Sequence, residues 1–566
     1  MRNLLGQGLL LAIAAAAAAC GGGARATRPS ALLITLDTTR ADALGCYGNP
    51  VAATPNLDRL ALESVLFETA RTTAPITLPA HASMLTGLYP PRHGVRDNGL
   101  APLPAEARTL AEAARQAGIR TGAVVSAGVL AERWGLAQGV DSWHDPAARA
   151  ELAAHQGVEL DAAQALETAR SFLRDAGESA PFFLWVHLFD PHQPYTAPAE
   201  FVARAGGDPY LAELAHADWA IGALRAELED LGLLESTWIV VVGDHGEDFG
   251  QHGEPTHALF AYDTTLRVPL LVRAPDGAGA GVRRADPVSV ADVHPTLLQA
   301  LGLEPSPGVD GRSLLLPPAP GRGVYFETFT GWLNYGWSPL TGWADEHGKY
   351  VHSSAPQFFD TASDPLEHTD LAAAPATVLE PYRAALAALQ TLPAFHAETT
   401  APLEEVEIAA LRELGYAGAA DAASALPGLL AATGRPSPHA RTAEIAAFYA
   451  AIAANNSGRV AEAVARMQGV VADNPRNAYA LDLLGLFLVQ EQRHAEAKQV
   501  LLSLAALGGE RPPAFRLLGL CYEREGDFAS ALVWVERALA SLPEHRGYQD
   551  DRARLVAALA AAGAGR

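Results

Sequence analysis

At 566 residues with 49% hydrophobic content, the chain is long enough for several folded domains and too apolar for wholesale disorder. Its formal net charge of -23 argues against a nucleic-acid binder, which carries a basic face. An anionic substrate stays open, because a local metal or arginine cluster can override the global field. The only lysines are Lys349 and Lys498, so no chemistry before residue 349 can use an ammonium group.

Residues 1–19, "MRNLLGQGLLLAIAAAAAA", place one arginine before an apolar run that ends in small residues. That pattern predicts a secretory signal, too short and alanine-rich for a membrane span. Cys20 follows three alanines and precedes three glycines, which resembles a bacterial lipoprotein processing site, although the usual leucine three residues before the cysteine is missing. The expectation is export across the inner membrane and a periplasmic or outer-membrane lipoprotein, held to the membrane by its lipid alone. Residues 20–29 would be the tether. Cys46 and Cys521 fall in different predicted domains and are expected to be buried thiols, not a disulfide.

From residue 30 to about 372, short apolar runs alternate with helical patterns. "ALLITLD", "TGAVVSA", "PFFLWVHLFD", "TWIVVVGD" and "VPLLVRAP" read as strands buried on both faces, as in a parallel sheet. "TPNLDRLALESV", "LPAEARTLAEAARQAG" and "YLAELAHADWAIGALRAELEDLG" read as the intervening helices. The alternation predicts a doubly wound α/β domain, whose ligands sit at the carboxyl ends of the strands. Asp37, Asp190 and Asp244 all fall at such ends. Residues 373–440 are expected to be a helical segment followed by a small-residue, proline-containing linker.

Beyond residue 441 an internal repeat appears. Ala461-Glu462-Ala463, Ala495-Glu496-Ala497 and Ala529-Ser530-Ala531 recur 34 positions apart, as do Leu484-Gly485 and Leu518-Gly519. A helix-turn-helix repeat of that period is the tetratricopeptide signature, so residues 441–562 are expected to form an all-α solenoid that docks a protein or peptide partner.

The chemistry concentrates before residue 372. Asp37, Asp244 and His245 would converge at the sheet edge as ligands for Zn²⁺, Mn²⁺ or Ca²⁺. Thr77 precedes Pro79 at a predicted helix start, where backbone N–H groups and the dipole favour an anion. A hydroxyl beside a metal becomes a nucleophile, so the set points to hydrolysis or transfer of an anionic ester. Thr73 is expected to cap or turn the chain and Ser83 to bond the helix backbone. Asp97 and Asn98 read as turn formers, Arg92 and Arg96 as candidates to steer an anion, and His252 and Glu254 as loop-shaping or site residues.

The segments "LDTTRAD", "TPNLDRLA", "TLPAHASMLTGLYP", "HLFDPHQPY", "GDHGEDFGQHGE", "RVPLLVRAP" and "DVHPTLLQALG" occur in an order that resembles the sulfatase family of the alkaline-phosphatase superfamily. The resemblance implies an alkaline-phosphatase-like sheet with a small C-terminal subdomain, and metal-assisted attack on a sulfate or phosphate ester. This chain departs from the family where a cysteine, or a serine, becomes formylglycine: those positions read Thr77, Leu78, Pro79, Ala80 and His81. Threonine cannot become formylglycine, the motif arginine is His81, and one first-strand metal acid is Thr38. The chain therefore looks more like the threonine-using phosphodiesterases and headgroup transferases of the superfamily. Carried over by position, Asp37, Thr77, Asp244 and His245 would hold one divalent metal and Thr77 would attack. His81, His192 and His257 would contact non-bridging oxygens or protonate the leaving group. A second metal on Asp190, His192 and a further histidine stays open. Phosphate mono- or diesters are favoured over sulfate. A transferase moving a phospho-headgroup to a lipid or glycan, and an inactive scaffold binding partners through its repeats, are the alternatives.

Overall fold

The computed structural model describes residues 28–146, 159–176, 181–395, 426–543 and 545–564. The expected signal, Cys20 and most of the tether lie outside the described residues. In chain order the strands are β1 (Ser30–Leu36), β2 (Val65–Phe67), β3 (Ala70–Arg71), β4 (Arg120–Val124), β5 (Ser142–His144), β6 (Phe182–Leu188), β7 (Thr237–Gly243), β8 (Leu270–Arg273), β9 (Arg283–Arg284), β10 (Val288–Ser289), β11 (Val324–Thr328), β12 (Leu340–Ala344), β13 (Lys349–His352) and β14 (Gln357–Phe359). Eight of them form one sheet in the order β5-β4-β6-β1-β7-β8-β2-β9.

β1 lies at the centre, parallel to β6 and β7, and every one of its residues is buried. Its side chains alternate between two cores, as the two-residue period of a strand requires. Ala31 and Leu33 pack with Trp185, Val240 and the helix Thr77–Thr86 on one face. Leu32, Ile34 and Leu36 pack with Val186, Val241 and the long helix Pro209–Asp230 on the other. That helix starts where Asp208 accepts the Leu211 N–H, with Pro209 in the first turn. The sheet is mixed, not all parallel: β8 runs antiparallel to β7 and to β2. The apolar run in "VPLLVRAP" marks a two-face-buried strand but carries no information on direction.

A second, antiparallel sheet, β11-β12-β13-β14, is covered by the helix Ala376–Gln390 through Tyr382, Leu386 and Leu389. The stretch expected to be a linker is no free spacer where it is described. Leu429 is buried among Tyr325, Tyr350 and Tyr382, its carbonyl accepts the Thr341 hydroxyl at 2.6 Å, and Pro436 O accepts Ser338 N–H at 2.8 Å. Small residues and prolines mark irregular backbone, and irregular backbone can still pack.

Seven further helices follow among the described residues, beginning with Thr442–Asn456. Subsequent helices start at 460, 494 and 528, and at 478, 512 and 546, two interleaved series in steps of 34. Close crossings explain the small residues: a side chain at Gly485 would meet Leu501 at 2.5 Å, and one at Gly519 would meet Val535 at 2.9 Å. The apolar core of the second sheet runs straight into these helices, with Phe326 and Trp337 sharing a cluster with Phe448, Ala451 and Tyr479. Cys46 and Cys521 are both free; Cys521 is buried and Cys46 half-buried. No helix among the described residues is long and apolar enough to cross a membrane.

Candidate metal centre and active site

Parallel pairing on both sides of β1 decides the site. Leu36 registers with Leu188 and with Gly243, so the residues that follow emerge side by side at one sheet edge. Asp37 N–H donates to Leu188 O and Asp244 N–H to Leu36 O, both at 3.0 Å. Asp244 Oδ1 is taken up by the backbone N–H groups of Thr38, at 3.2 Å, and His245, at 2.6 Å. Its Oδ2, and both carboxylate oxygens of Asp37, are buried with no hydrogen bond. Buried polar atoms almost always have a partner, so three orphaned carboxylate oxygens on two adjacent acids call for a cation. Gly246 allows the following loop to come this close, since any side chain there would lie 2.2 Å from the Thr264 carbonyl.

His245 completes the set. Its Nδ1–H donates to Gly246 O at 3.1 Å, which leaves a lone pair on Nε2. That nitrogen lies 3.3 Å from Thr77 Oγ1 and 3.6 Å from Asp37 Oδ1 and from Asp244 Oδ2. Asp37, Asp244 and His245 are fully buried and group within metal-ligating reach. Burial raises both carboxyls above their ordinary range, Asp244 strongly because the Asp37 charge adds to it, and burial with the neighbouring His257 holds His245 neutral. The donors, two carboxylates, an imidazole and a hydroxyl, suit a divalent cation.

Thr77 opens its helix without a side-chain cap from its own segment. The cap comes from across the fold: Asn98 Oδ1 accepts the Leu78 N–H at 2.9 Å, and Asn98 Nδ2 is buried with no partner. In sequence Asn98 reads as a turn former, and nothing local signals otherwise.

His81 does not stand where a substrate oxygen could meet it. Trp185 Nε1–H donates to Thr35 Oγ1 at 3.0 Å, so the Thr35 hydroxyl hydrogen is free for His81 Nε2, also at 3.0 Å. The proton on His81 is therefore on Nδ1, which donates to Thr77 O at 2.8 Å. Both ring nitrogens are committed within the protein. His187, which the sequence did not single out, accepts Ser126 N–H on Nδ1 at 3.3 Å and directs Nε2–H toward Asp37 Oδ2 at 3.4 Å.

His192 and His257 do reach the site. Their rings lie 5.3 Å apart, and His257 lies 4.4 Å from His245. His192 Nδ1–H donates to Gln193 O at 2.6 Å, and His257 Nδ1 faces Glu247 at 3.4 Å. Burial lowers each to about 4. The second metal set is not assembled as expected: Asp190 pairs with His216 at 2.8 Å and groups with Glu213, both on the long helix, instead of with His192. Glu213 also accepts the Thr196 N–H, and burial plus Asp190 push its carboxyl up to about 8.

Other expectations resolve as scaffolding. Arg92 bonds Asp310 at 2.8 Å and Arg96 bonds Glu327 at 2.6 Å, so neither is available to steer an anion. Ser83 bonds the side chains of Thr73, at 2.8 Å, and His93, at 3.0 Å, in place of the helix backbone. His252 bonds Asp248, and buried Glu254 accepts the N–H groups of Leu259 and Phe260, so both shape the loop.

The site is thus a mixed α/β sheet with acids at its carboxyl edge, facing a hydroxyl at a helix start. Residues 29–303 match the sulfatase family model. The chain is 30% identical to the ulvan-active sulfatase of Formosa agariphila over 51% of its own length and 64% of that protein, so it spans less than two thirds of that relative. An uncharacterized sulfatase of Escherichia coli is 26% identical over 61% of this chain and 83% of that one. Among solved structures, the phosphonate monoester hydrolase of Agrobacterium radiobacter superposes with a TM-score of 0.54 at 24% identity, covering 64% of this chain and 95% of that one. A structure solved with its substrate D-glucosamine-2-N,6-O-disulfate gives 0.56 at 19% identity, covering 64% and 98%. The family model and these relatives support a sulfatase-family domain, and the superpositions support its fold.

Proposed function

We propose that the protein is a metal-dependent hydrolase of sulfate or phosphate esters in which Thr77 is the nucleophile and phosphate mono- or diesters are preferred. The observation that carries this reading is the convergence of Asp37, Asp244 and His245, with three orphaned carboxylate oxygens, on a point beside the Thr77 hydroxyl. Family relatives support a sulfuric or phosphoric ester hydrolase. The preference for phosphate rests on Thr77, which cannot supply the formylglycine of a sulfatase.

Asp37, Asp244, His245 and Thr77 would hold one divalent cation, which when bound acidifies the hydroxyl and neutralises the ester's charge. The remaining roles belong to the chain. Asn98 Nδ2, buried without a partner, is left as a donor for charge developing on the ester oxygens. His192 Nδ1–H is committed to Gln193, so its Nε2 is the atom left for the ester. Both His192 and His257 are neutral at rest, and an entering anion favours their protonated forms, which readies them to protonate the leaving oxygen. The Thr77 hydroxyl gives its proton to solvent as its oxygen bonds to the phosphorus or sulfur and the bond to the leaving oxygen breaks; water then cleaves the threonine ester, restoring the hydroxyl and releasing the acid. His81 acts by fixing the Thr77 carbonyl. The C-terminal helices are read as a tetratricopeptide array for a protein or peptide partner, and the chain as an exported lipoprotein.

Aryl sulfate, aryl phosphate and aryl phosphodiester substrates, each with Zn²⁺, Mn²⁺ and Ca²⁺, test the reading against Thr77→Ala. Turnover is expected to fall about a thousandfold or more with metal content unchanged. Retained turnover would overturn the nucleophile.

A further inference from the structure

The loop from Asp244 to Tyr262 carries two of the proposed metal ligands and His257. Its inner side faces Thr77 and Asp37 through His245. Its outer side rests on the first helix of the C-terminal array, Thr442–Asn456. A side chain at Gly253 would come 2.8 Å from the Thr442 methyl, so only a glycine lets the loop lie this close to the helix start. About two turns further along that helix, Thr256 Oγ1 and the Tyr449 hydroxyl are 3.3 Å apart. Leu259, Phe260 and Ala261 share one apolar core with Ile445, Phe448 and Ala451. The Phe260 ring stacks on His439 at 5.2 Å.

The residue after His257 explains why such support is needed. Ala258 has a φ of 87°, a left-handed conformation that a non-glycine residue keeps only when its surroundings over-determine it. The Thr328 hydroxyl holds the Ala258 carbonyl from the second sheet, and buried Glu254 ties the loop to itself through the N–H groups of Leu259 and Phe260. The array closes the remaining side. Thus His257 sits between Thr256, bonded to the array, and Ala258, in a strained turn.

We infer that the array is a structural part of the active site: Tyr449, with the apolar core around it, is a positioning residue that fixes Thr256 and so aims His257. This rests on the hydrolase reading for its kinetic consequence, although the mechanical coupling stands without it. The inference differs from partner docking, because it requires the array to support turnover with nothing bound to it.

The test uses the full chain. Tyr449→Ala, Tyr449→Phe and Thr256→Val are compared with the parent for kcat and KM on the substrate panel, for bound metal, and for hydrogen exchange. Tyr449→Ala is expected to lower kcat about ten- to a hundredfold with KM and metal content little changed, as expected when a catalytic side chain is misaimed. Exchange should quicken over residues 246–262 and stay unchanged over β1 and β7. Tyr449→Phe, which keeps the ring, and Thr256→Val, which leaves the array intact, should move the same readouts by less. Parent-like kcat and parent-like loop exchange in Tyr449→Ala would overturn the inference. If Tyr449→Ala does not fold, parent-like values in both other variants would overturn it. If the parent turns over no substrate, the exchange measurement decides alone, and only the hydrolase reading is lost.

Discussion

Two buried polar clusters in the same domain are built on opposite principles. Arg71, Lys349, Asp263 and Glu367 form a balanced network, with Arg71 on Asp263 at 2.7 Å and Lys349 reaching Asp263 at 3.1 Å and Glu367 at 2.5 Å. Although burial alone would raise it, Arg71 and Lys349 hold the Asp263 carboxyl well below its ordinary range, while Glu367, paired with Lys349 alone, is still raised by burial. At the sheet edge, Asp37 and Asp244 are buried as deeply, but their ion-pair neighbours are histidines, and their carboxyls are pushed up. The first cluster contains its own counter-charges. The second lacks them, and the deficit is the signature of a site that takes its positive charge from outside.

Breaking each cluster should therefore give opposite results. Lys349→Met strands buried Glu367, while Asp263 keeps Arg71, and should destabilise the protein by about 3–5 kcal/mol in denaturant unfolding. A small loss would show that the network is more solvated than its burial indicates. His439 offers an intermediate case. Its ring nitrogens are buried without hydrogen bonds, and burial holds it at about 3, below the 6.5 of an unfolded histidine. Its neutral form is favoured in the fold, so stability is full above pH 6.5 and is lost as pH falls toward 3. His439→Phe should remove that loss, gaining about 2 kcal/mol on the parent between pH 7 and pH 5. The smallest effect is expected at the sheet edge. Asp244→Asn should leave the metal-free protein within about 1 kcal/mol of the parent, since it removes one of two repelling carboxyls, yet abolish the rise in Tm that divalent cation gives the parent. Marked destabilisation of the metal-free protein would mean that Asp244 is structural.

The same contrast explains what could be read from the sequence. β1, β6 and β7 are legible because a strand buried on both faces needs an unbroken apolar run, and their terminal acids stand out at once. Asp37, Asp244, His245 and Thr77 follow from that pattern and the order of motifs. What could not be read depends on contacts between distant segments. Asn98 caps a helix that starts 21 residues earlier (98 − 77), and His187 looks like any core histidine until β6 lies beside β1. The orientation of His81 was half-visible, since residues 77 and 81 share a helix face, but the Trp185–Thr35 pair that fixes its tautomer was not. Strand direction in β8, and the packing of residues 426–440, depend on neighbours that composition does not encode.

The steps of 34 residues between helix starts carry a consequence for how such a molecule can be lengthened or shortened. A repeat array normally tolerates gain or loss of a unit anywhere along its length, because each unit touches only its neighbours. Here the unit that begins at Thr442 is welded to the loop beneath it through Gly253, Thr256 and Phe260. The array has a fixed root and a free tip. Units spliced in after Gln490 would extend its reach without disturbing the candidate metal centre, whereas a deletion at the root would leave the loop that carries Asp244, His245 and His257 without its outer support.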